Sequence, residues 1–226
     1  MIKVVASFKR KAGSSVEDFQ GYWHDVHGPL AAQLPGLRRY VQSHTLLGGY
    51  RKGEPVYDGV AELWFDDTDA LRQLNGHPAY EAVRTDEPHF MDVASMAQIV
   101  TDDHLIKDGP IPADGVKNIE FVTRRSDLDV PAFQKHWRET HGPLGASIPV
   151  VKRYVQSHTR ASAYASGRAP RWDGVALTWF DDTKAMRASA ELPEYRRTRD
   201  DEPNFVSGEL PFLITKERVI VDGPAF

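Results

Sequence analysis

The sequence contains no cysteine, which excludes disulfides, thiolate nucleophiles, iron–sulfur clusters and cysteine-ligated zinc, and fits a reducing compartment. It has no apolar run near the ~20 residues that a membrane-spanning helix needs, and its apolar start is too short for a signal peptide. The net charge is only −4, whereas a nucleic-acid-binding protein usually carries a basic surface. We therefore expect a cytoplasmic protein without membrane or nucleic-acid partners.

What the chain does have is an internal repeat, a feature that shapes the whole fold. Residues 19–30 recur 114 residues later as residues 133–144. The run Arg-Tyr-Val-Gln-Ser-His-Thr occurs at 39–45 and again at 153–159, and the matches continue to an Asp-Gly-Pro sequence that closes each copy. With 41% hydrophobic residues, the chain has enough apolar material for a globular core. The sequence therefore predicts two copies of one structural unit.

Hydrophobic periodicity predicts the element order βαββαβ in each copy, which is the ferredoxin-like unit. Ser15 and Asp129 are the expected N-caps of the first helix in the two copies. The Gly28-Pro29 pair should bend or end that helix, and His77-Pro78 should break the second one. The expected strands of the first copy are residues 2–8, 37–46, 57–66 and 94–101.

The domain boundaries follow from the repeat and from a proline-containing segment. We expect a first domain over residues 1–102, a linker over 103–115 and a second domain over 116–226. A four-stranded sheet with both helices on one face leaves its other face bare. Packing the two sheets face to face would cover both, so the predicted fold class is α+β, with two ferredoxin-like units forming a barrel. Such an interior could be filled or hollow, and a hollow one is a natural ligand site.

Two motifs present in both copies resemble the EthD family, part of the dimeric α+β barrel group. They are Phe-x3-Trp-x3-His-Gly-Pro-Leu on the first helix and Arg-Tyr-Val-Gln-x-His on the second strand. Related barrels include lactone isomerases, polyketide cyclases and dehydratases, cofactor-free monooxygenases and haem proteins. Most EthD proteins are short chains that pair as homodimers. This chain instead fuses two copies, and further pairing into a homodimer of the tandem unit remains open.

The second strand supplies the first candidate site residues. Alternation places Tyr40, Gln42 and His44 on one face, as it does Tyr154 and His158 in the second copy. We expect this face to meet the other sheet. The side chains there either brace the two sheets or form a site. In a site, His44 would be the general base, with Tyr40 and Gln42 donating to a developing oxyanion.

Other candidates lie on the first helix and the third strand. His27 and His141 either cap the end of their helix or act as acid–base groups. Glu62 shares a strand face with Trp64, and its alternatives are a buried acid, an exposed edge residue or a partner of Arg39. His27 or Glu62 would return the proton. The residues expected to contact substrate are Gln42, Trp23, Trp64, His158, Tyr154 and His141.

A metal site receives little support from the sequence. His24 and His27 are three residues apart on a helix and could share a metal with Glu87, but the second copy has His136 and His141 five apart. The GxGxxG, P-loop, GxSxG and HExxH motifs are missing. We therefore expect neither a metal nor a cofactor.

The predicted function, drawn mainly from the resemblance, is a cofactor-independent lyase or isomerase. It would dehydrate, isomerise or cyclise a hydrophobic, oxygenated small molecule. The alternatives are a monooxygenase or haem-binding oxidoreductase of the same barrel group, and a protein that only binds a small molecule. The first copy keeps more titratable groups, since His24, His89 and Glu62 become Arg, Asn and Leu in the second. We therefore expect the first copy to hold the active pocket.

Overall fold

The computed structural model describes residues 1–165, 167 and 169–225, and it divides the chain into two units. Unit 1 comprises residues 1–101 together with the C-terminal residues from Lys216 onward. Unit 2 comprises Asp102–Thr215. Each unit repeats the predicted order of strands and helices. The strands are β1 (Ile2–Arg10), β2 (Leu37–Thr45), β3 (Gly59–Phe65), β4 (Met91–Lys107), β5 (Val116–Val122), β6 (Arg153–Thr159), β7 (Gly174–Phe180) and β8 (Phe212–Val221).

Helices connect the strands in the same way in both units. In unit 1 a helix pair follows β1 and another follows β3, and unit 2 repeats this after β5 and β7. The α-helices are α1 (Val16–Tyr22), α2 (Gly28–Ala31), α3 (Thr68–Arg72), α4 (Pro78–Phe90), α5 (Val130–His136), α6 (Gly142–Ala146), α7 (Thr183–Ser189) and α8 (Pro193–Asp201). No helix in the described part of the chain is long and apolar enough to cross a membrane.

Two strands belong to both units. Hydrogen-bonded neighbours run β4-β1-β3-β2-β8 in unit 1 and β8-β5-β7-β6-β4 in unit 2. The strand β4 leaves unit 1 after Thr101, and β8 leaves unit 2 after Thr215. This order of strands and helices confirms the predicted α+β class with two ferredoxin-like units.

The predicted helix starts are confirmed by their caps. Ser15 accepts a hydrogen bond from the Asp18 backbone N–H, and Asp129 accepts one from that of Ala132. Each side chain thereby satisfies a donor that has no partner within the first helical turn. The break at His77-Pro78 is also confirmed, because α4 begins at Pro78 with His77 as its cap.

The Gly28-Pro29 pair does not end the first helix. A π-helical turn at Trp23–His27 precedes it, and α2 then continues with Pro29 in its first turn. His27, the last residue of this turn, is buried, whereas the preceding Val26 is 43% exposed.

An aromatic cluster forms the centre of unit 1 between the sheet and the helices. The Phe8 ring meets Trp23 edge-on at 5.0 Å, and Phe19 stacks on Trp23 at 5.7 Å. Gly59 leaves room for this indole, because a Cβ there would lie 2.5 Å from Trp23 Cζ3. Gly174 gives Trp137 the same room in unit 2. The shared glycine and tryptophan explain why Asp-Gly-Val-Ala recurs in the sequence.

The predicted direction of the second-strand side chains is wrong. Tyr40, Gln42 and His44 face the helices of their own unit, where the Gln42 amide donates to the Trp23 carbonyl at 2.8 Å and the His44 ring stacks on Trp23 at 4.5 Å. Tyr154 and His158 do the same in unit 2. Alternation tells which residues share a face, but not what covers that face.

The closing strand of the first copy is longer than expected. Instead of ending at residue 101, β4 runs to Lys107, whose amine donates to the Ile148 carbonyl at 3.0 Å. The predicted linker at 103–115 therefore begins inside a strand. The prolines that indicated the linker, Pro110 and Pro112, lie beyond the end of this strand.

Candidate functional site

Unit 1 contains a cavity of about 290 Å³ between its sheet and its helices. Most of its wall is apolar. Aromatic rings contribute to it from several elements, and polar groups reach it from the helices and from β2. The aromatic residues are Phe8, Trp23, Tyr40, Phe65, Tyr80 and Phe90. An apolar pocket with few polar groups is typical of a small-molecule site.

His27 lies at this cavity and is held by Asp86. Its Nδ1 atom is 2.8 Å from Asp86 Oδ2, and the other carboxylate oxygen accepts a 2.7 Å hydrogen bond from the Tyr22 hydroxyl. The carboxylate accepts, so Nδ1 carries the proton and Nε2 keeps its lone pair. Burial lowers the pKa of His27, and the opposing effect of Asp86 is smaller. The imidazole is therefore neutral near pH 7 and can accept a proton. Its partner is a side chain, so the helix-capping alternative does not describe it.

Tyr40 also lines the cavity. Its oxygen accepts hydrogen bonds from Trp23 Nε1 at 3.1 Å and from Gln42 Nε2 at 3.0 Å. Burial raises the Tyr40 pKa to about 12, so the hydroxyl keeps its proton. With both lone pairs engaged, this group can act toward a ligand only as a donor. Gln42 polarises Tyr40 and does not itself line the cavity.

His44 does not line the cavity. Its Nε2 atom lies 3.0 Å from Gln42 Oε1. Because the Gln42 amide nitrogen donates elsewhere, the Gln42 oxygen accepts from His44. Burial, assisted by the positive charges of Arg218 and His24, lowers the pKa of His44 to about 3. In the structure His44 is thus the first member of a chain of hydrogen bonds that runs through Gln42 to Tyr40. His158, Gln156 and Tyr154 form the same chain in unit 2.

Glu62 and Trp64 lie on the opposite face of the sheet from the cavity. Glu62 is 1% exposed, and its carboxylate lies 3.2 Å from Lys3 Nζ and accepts a 3.3 Å hydrogen bond from Ser43. Lys3 also sits over the Trp64 ring at 5.0 Å. The alternative partner, Arg39, pairs with Asp222 at 2.5 Å. Glu62 is buried, as one alternative expected, but it is not near His27.

The equivalent cavity of unit 2 measures only about 60 Å³. Polar side chains occupy it, including Glu120 where unit 1 has Ala6. Arg199 Nη1 lies 2.8 Å from Glu202 and 3.7 Å from Glu120. Burial raises the pKa of Glu202 to about 7. This cavity is too small for an aromatic ligand.

His141, the equivalent histidine of unit 2, also has a carboxylate partner, but it shares that carboxylate with His136. His141 Nδ1 lies 3.1 Å from Asp201, and His136 Nε2 lies 3.0 Å from the same carboxylate. Burial lowers the pKa of His141 to about 4. His24, the other candidate metal ligand, pairs with Asp25 at 2.6 Å on the surface. Among the residues that the structure describes, no three histidine or acidic side chains converge to hold a metal ion.

Of the sequence-predicted residues, the structure brings three together at the cavity of unit 1, namely Trp23, His27 and Tyr40. His141 and Tyr154 line the smaller cavity of unit 2. The sequence did not indicate Asp86 as the partner of His27, and it suggested Glu87 only as a metal ligand. The repeat could have drawn attention to both acidic residues, because Asp86-Glu87-Pro88 recurs as Asp201-Glu202-Pro203.

Comparison with known proteins identifies the repeated unit. The family model of the EthD domain matches residues 11–94 and again residues 125–209. An uncharacterised 11.0 kDa protein of Rhodococcus erythropolis, from its thcB–thcC intergenic region, is 28% identical over 93 residues. That match covers 41% of this chain and 87% of the relative. One repeat therefore corresponds to nearly the whole of the relative.

Solved structures of similar fold span the whole chain. An anthrone oxidase-like protein superposes with a TM-score of 0.64 at 11% identity, covering 99% of this chain and 95% of its own. A haem-binding protein of Thermus thermophilus gives 0.53 at 13% identity, with 96% and 90% covered. A chlorite dismutase mutant from Candidatus Nitrospira defluvii gives 0.51 at 11%, with 95% and 91% covered. Identities this low establish a shared fold and nothing about chemistry.

Proposed function

The chain belongs to the EthD family, and we propose that its first unit is a cofactor-independent acid–base enzyme acting on a hydrophobic, oxygenated small molecule. The observation that carries this proposal is the cavity of about 290 Å³ in unit 1. His27, fixed by Asp86, and Tyr40, fixed by Gln42 and Trp23, both line it. A base and a hydrogen-bond donor on one apolar cavity suit proton abstraction beside a carbonyl group.

The proposed reaction uses only these side chains. Nε2 of His27 takes a proton from the carbon next to the carbonyl, and the electron pair of that bond moves onto the carbonyl oxygen. The Tyr40 hydroxyl stabilises the resulting enolate by donating to it. Asp86 holds the imidazole in the required tautomer and stabilises the imidazolium. Return of the proton to another carbon gives isomerisation, and departure of a neighbouring hydroxyl group as water gives dehydration.

Exchange of hydrogen for deuterium tests this step without knowledge of the natural substrate. In D₂O, the wild-type protein should accelerate exchange at the carbon beside the carbonyl of α-tetralone, followed by NMR. His27→Gln should reduce the acceleration by about 10²–10⁴-fold, the usual contribution of a general base. Asp86→Asn should also reduce it, because an amide favours the wrong tautomer of His27.

The second unit offers a matched control. His141→Gln removes the equivalent histidine beside the cavity of about 60 Å³, and it should leave exchange unchanged. Exchange no faster than in buffer would reject the acid–base function, and tight binding without exchange would instead indicate a small-molecule binding protein. Equal losses in the two histidine variants would contradict the assignment to unit 1.

Oxidation is the second candidate function. The aromatic wall of the cavity, which suits a polycyclic aromatic ligand, favours it. The same deprotonation would give a carbanion that reduces molecular oxygen, one oxygen atom becoming a new carbonyl and the other leaving as water. An oxygen electrode with anthrone distinguishes the two, because an isomerase or dehydratase consumes no oxygen.

Haem chemistry does not fit this cavity. Its volume of about 290 Å³ lies at the lower end of small-molecule sites, and a haem macrocycle with its side groups needs considerably more.

A further inference from the structure

Glu87 is a cavity residue that the proposed acid–base step does not use. It lies on α4, one residue after Asp86, and it lines the cavity of unit 1. Its exposed fraction is only 8%. Its Oε2 atom is buried and receives no hydrogen bond from the described residues. The neighbouring cation is Arg84, whose Nε lies 3.4 Å from that oxygen without hydrogen-bond geometry.

The equivalent position of unit 2 lies beside a cavity that is too small for an aromatic ligand. Glu202 replaces Glu87, and its carboxylate lies 2.8 Å from Arg199 Nη1. The cavity there is about 60 Å³, against about 290 Å³ in unit 1. A buried carboxylate oxygen without a donor is costly. Unit 1 therefore retains an unsatisfied buried acceptor, whereas in unit 2 an arginine lies directly against the equivalent carboxylate.

We propose that Glu87 is the specificity residue of this cavity, where its buried oxygen accepts a hydrogen bond from a hydroxyl group of the ligand. The neighbouring cation Arg84 disfavours an ammonium donor at this position, so a phenol or alcohol is the matching group. The ligand class is thus a hydroxylated aromatic ketone, with its carbonyl toward Tyr40 and its hydroxyl toward Glu87. This inference rests on the proposed function for the identity of the ligand site.

Selectivity is expected because a site that hydrogen-bonds a hydroxyl group rejects the analogue that lacks it. Without the hydroxyl, an aromatic ligand would exclude water from Glu87 and leave the carboxylate unpaired. Burial raises the pKa of Glu87, so the preference should weaken when the pH is lowered and the carboxylate becomes protonated.

The test compares the binding of α-tetralone with that of its phenolic isomers, by titration calorimetry at neutral pH. The wild-type protein should bind the best hydroxy-α-tetralone at least about tenfold more tightly than the parent ketone. Glu87→Leu should abolish that preference while leaving the affinity for α-tetralone unchanged or improved. Glu87→Gln should keep part of the preference, because its amide oxygen still accepts. Glu202→Gln in unit 2 is the control and should change neither affinity.

The outcomes separate this inference from the proposed function. A preference that survives Glu87→Leu, or that is missing from the wild-type protein, overturns the role of Glu87. A preference that depends on Glu87 without any deuterium exchange overturns only the acid–base function. If no member of the series binds, the assignment of aromatic ketones to this cavity is wrong, and both proposals fall.

Discussion

Ala6 and Glu120 occupy the same position in the first strand of the two units, opposite Ala61 and Ala176 respectively. Both line the cavity of their unit. A methyl group leaves the unit 1 cavity open and apolar. In unit 2 a carboxylate takes that space, with Arg199 Nη1 3.7 Å away. This substitution therefore contributes to the difference in volume and polarity between the two cavities.

Giving unit 1 the residue that unit 2 has at this position should weaken ligand binding in unit 1. Ala6→Glu places a carboxylate in the cavity of unit 1, and we expect at least about a tenfold loss of α-tetralone affinity, because the ligand and the carboxylate compete for the same volume. Calorimetric titration measures this. Glu120→Ala is the control and should leave the affinity of unit 1 unchanged. Equal affinity in wild-type and Ala6→Glu proteins would place the ligand elsewhere.

Gly59 should tolerate no side chain. A Cβ there would lie 2.5 Å from Trp23 Cζ3 and 3.3 Å from Phe19 Cζ. Trp23 cannot retreat easily, because the His44 ring stacks on it. Gly59→Ala should therefore lower the free energy of unfolding by about 1–3 kcal/mol, measured by urea denaturation.

For Gly21→Ala, in the same unit, we expect the opposite effect on the free energy of unfolding. Gly21 lies within α1, and a Cβ there meets nothing within 4 Å. Alanine restricts the unfolded chain without a clash, so the free energy of unfolding should rise by about 0.5–1 kcal/mol. A loss of stability in this variant would show that the helix is packed more tightly than the structure indicates.

The buried histidines should make the protein less stable in mild acid. Burial lowers the pKa of His44 and of His158 from 6.5 to about 3. Between these values the unfolded chain binds more protons than the folded protein, so the free energy of unfolding falls as the pH falls from 6.5 toward 3. The double variant His44→Gln/His158→Gln should flatten this dependence in denaturation curves. His77→Gln, at an exposed position, should not.

The C-terminal strand should contribute to the core of unit 1. Ile220 packs against the buried cluster of that unit, whereas Val219 is 48% exposed. Because Ile220 is only partly buried, Ile220→Ala should cost about 1–2 kcal/mol of unfolding free energy, and Val219→Ala should cost much less. Thermal or urea unfolding distinguishes them. Similar effects of both substitutions would contradict the assignment of this segment to unit 1.

The sequence was a good guide to the elements and a partial guide to the site. The repeat predicted both ferredoxin-like units, and the caps Ser15 and Asp129 marked helix starts that depend on local hydrogen bonds. The predicted orientation of His44 was wrong, because both faces of β2 are covered and the alternation of side chains cannot tell the two faces apart. The sequence did not predict Asp86 as the partner of His27, because the two residues are 59 positions apart.

The sharing of β4 and β8 has a consequence for synthesis on the ribosome. Unit 2 is a continuous segment, Asp102–Thr215, whereas unit 1 also needs the residues from Lys216 onward. Domains generally fold in the order in which they emerge, N-terminal first. Here the N-terminal unit lacks its last strand until the residues from Lys216 onward have been synthesised, and until then the outer edge of β2 has no neighbouring strand. The unit that begins first is therefore the one completed last.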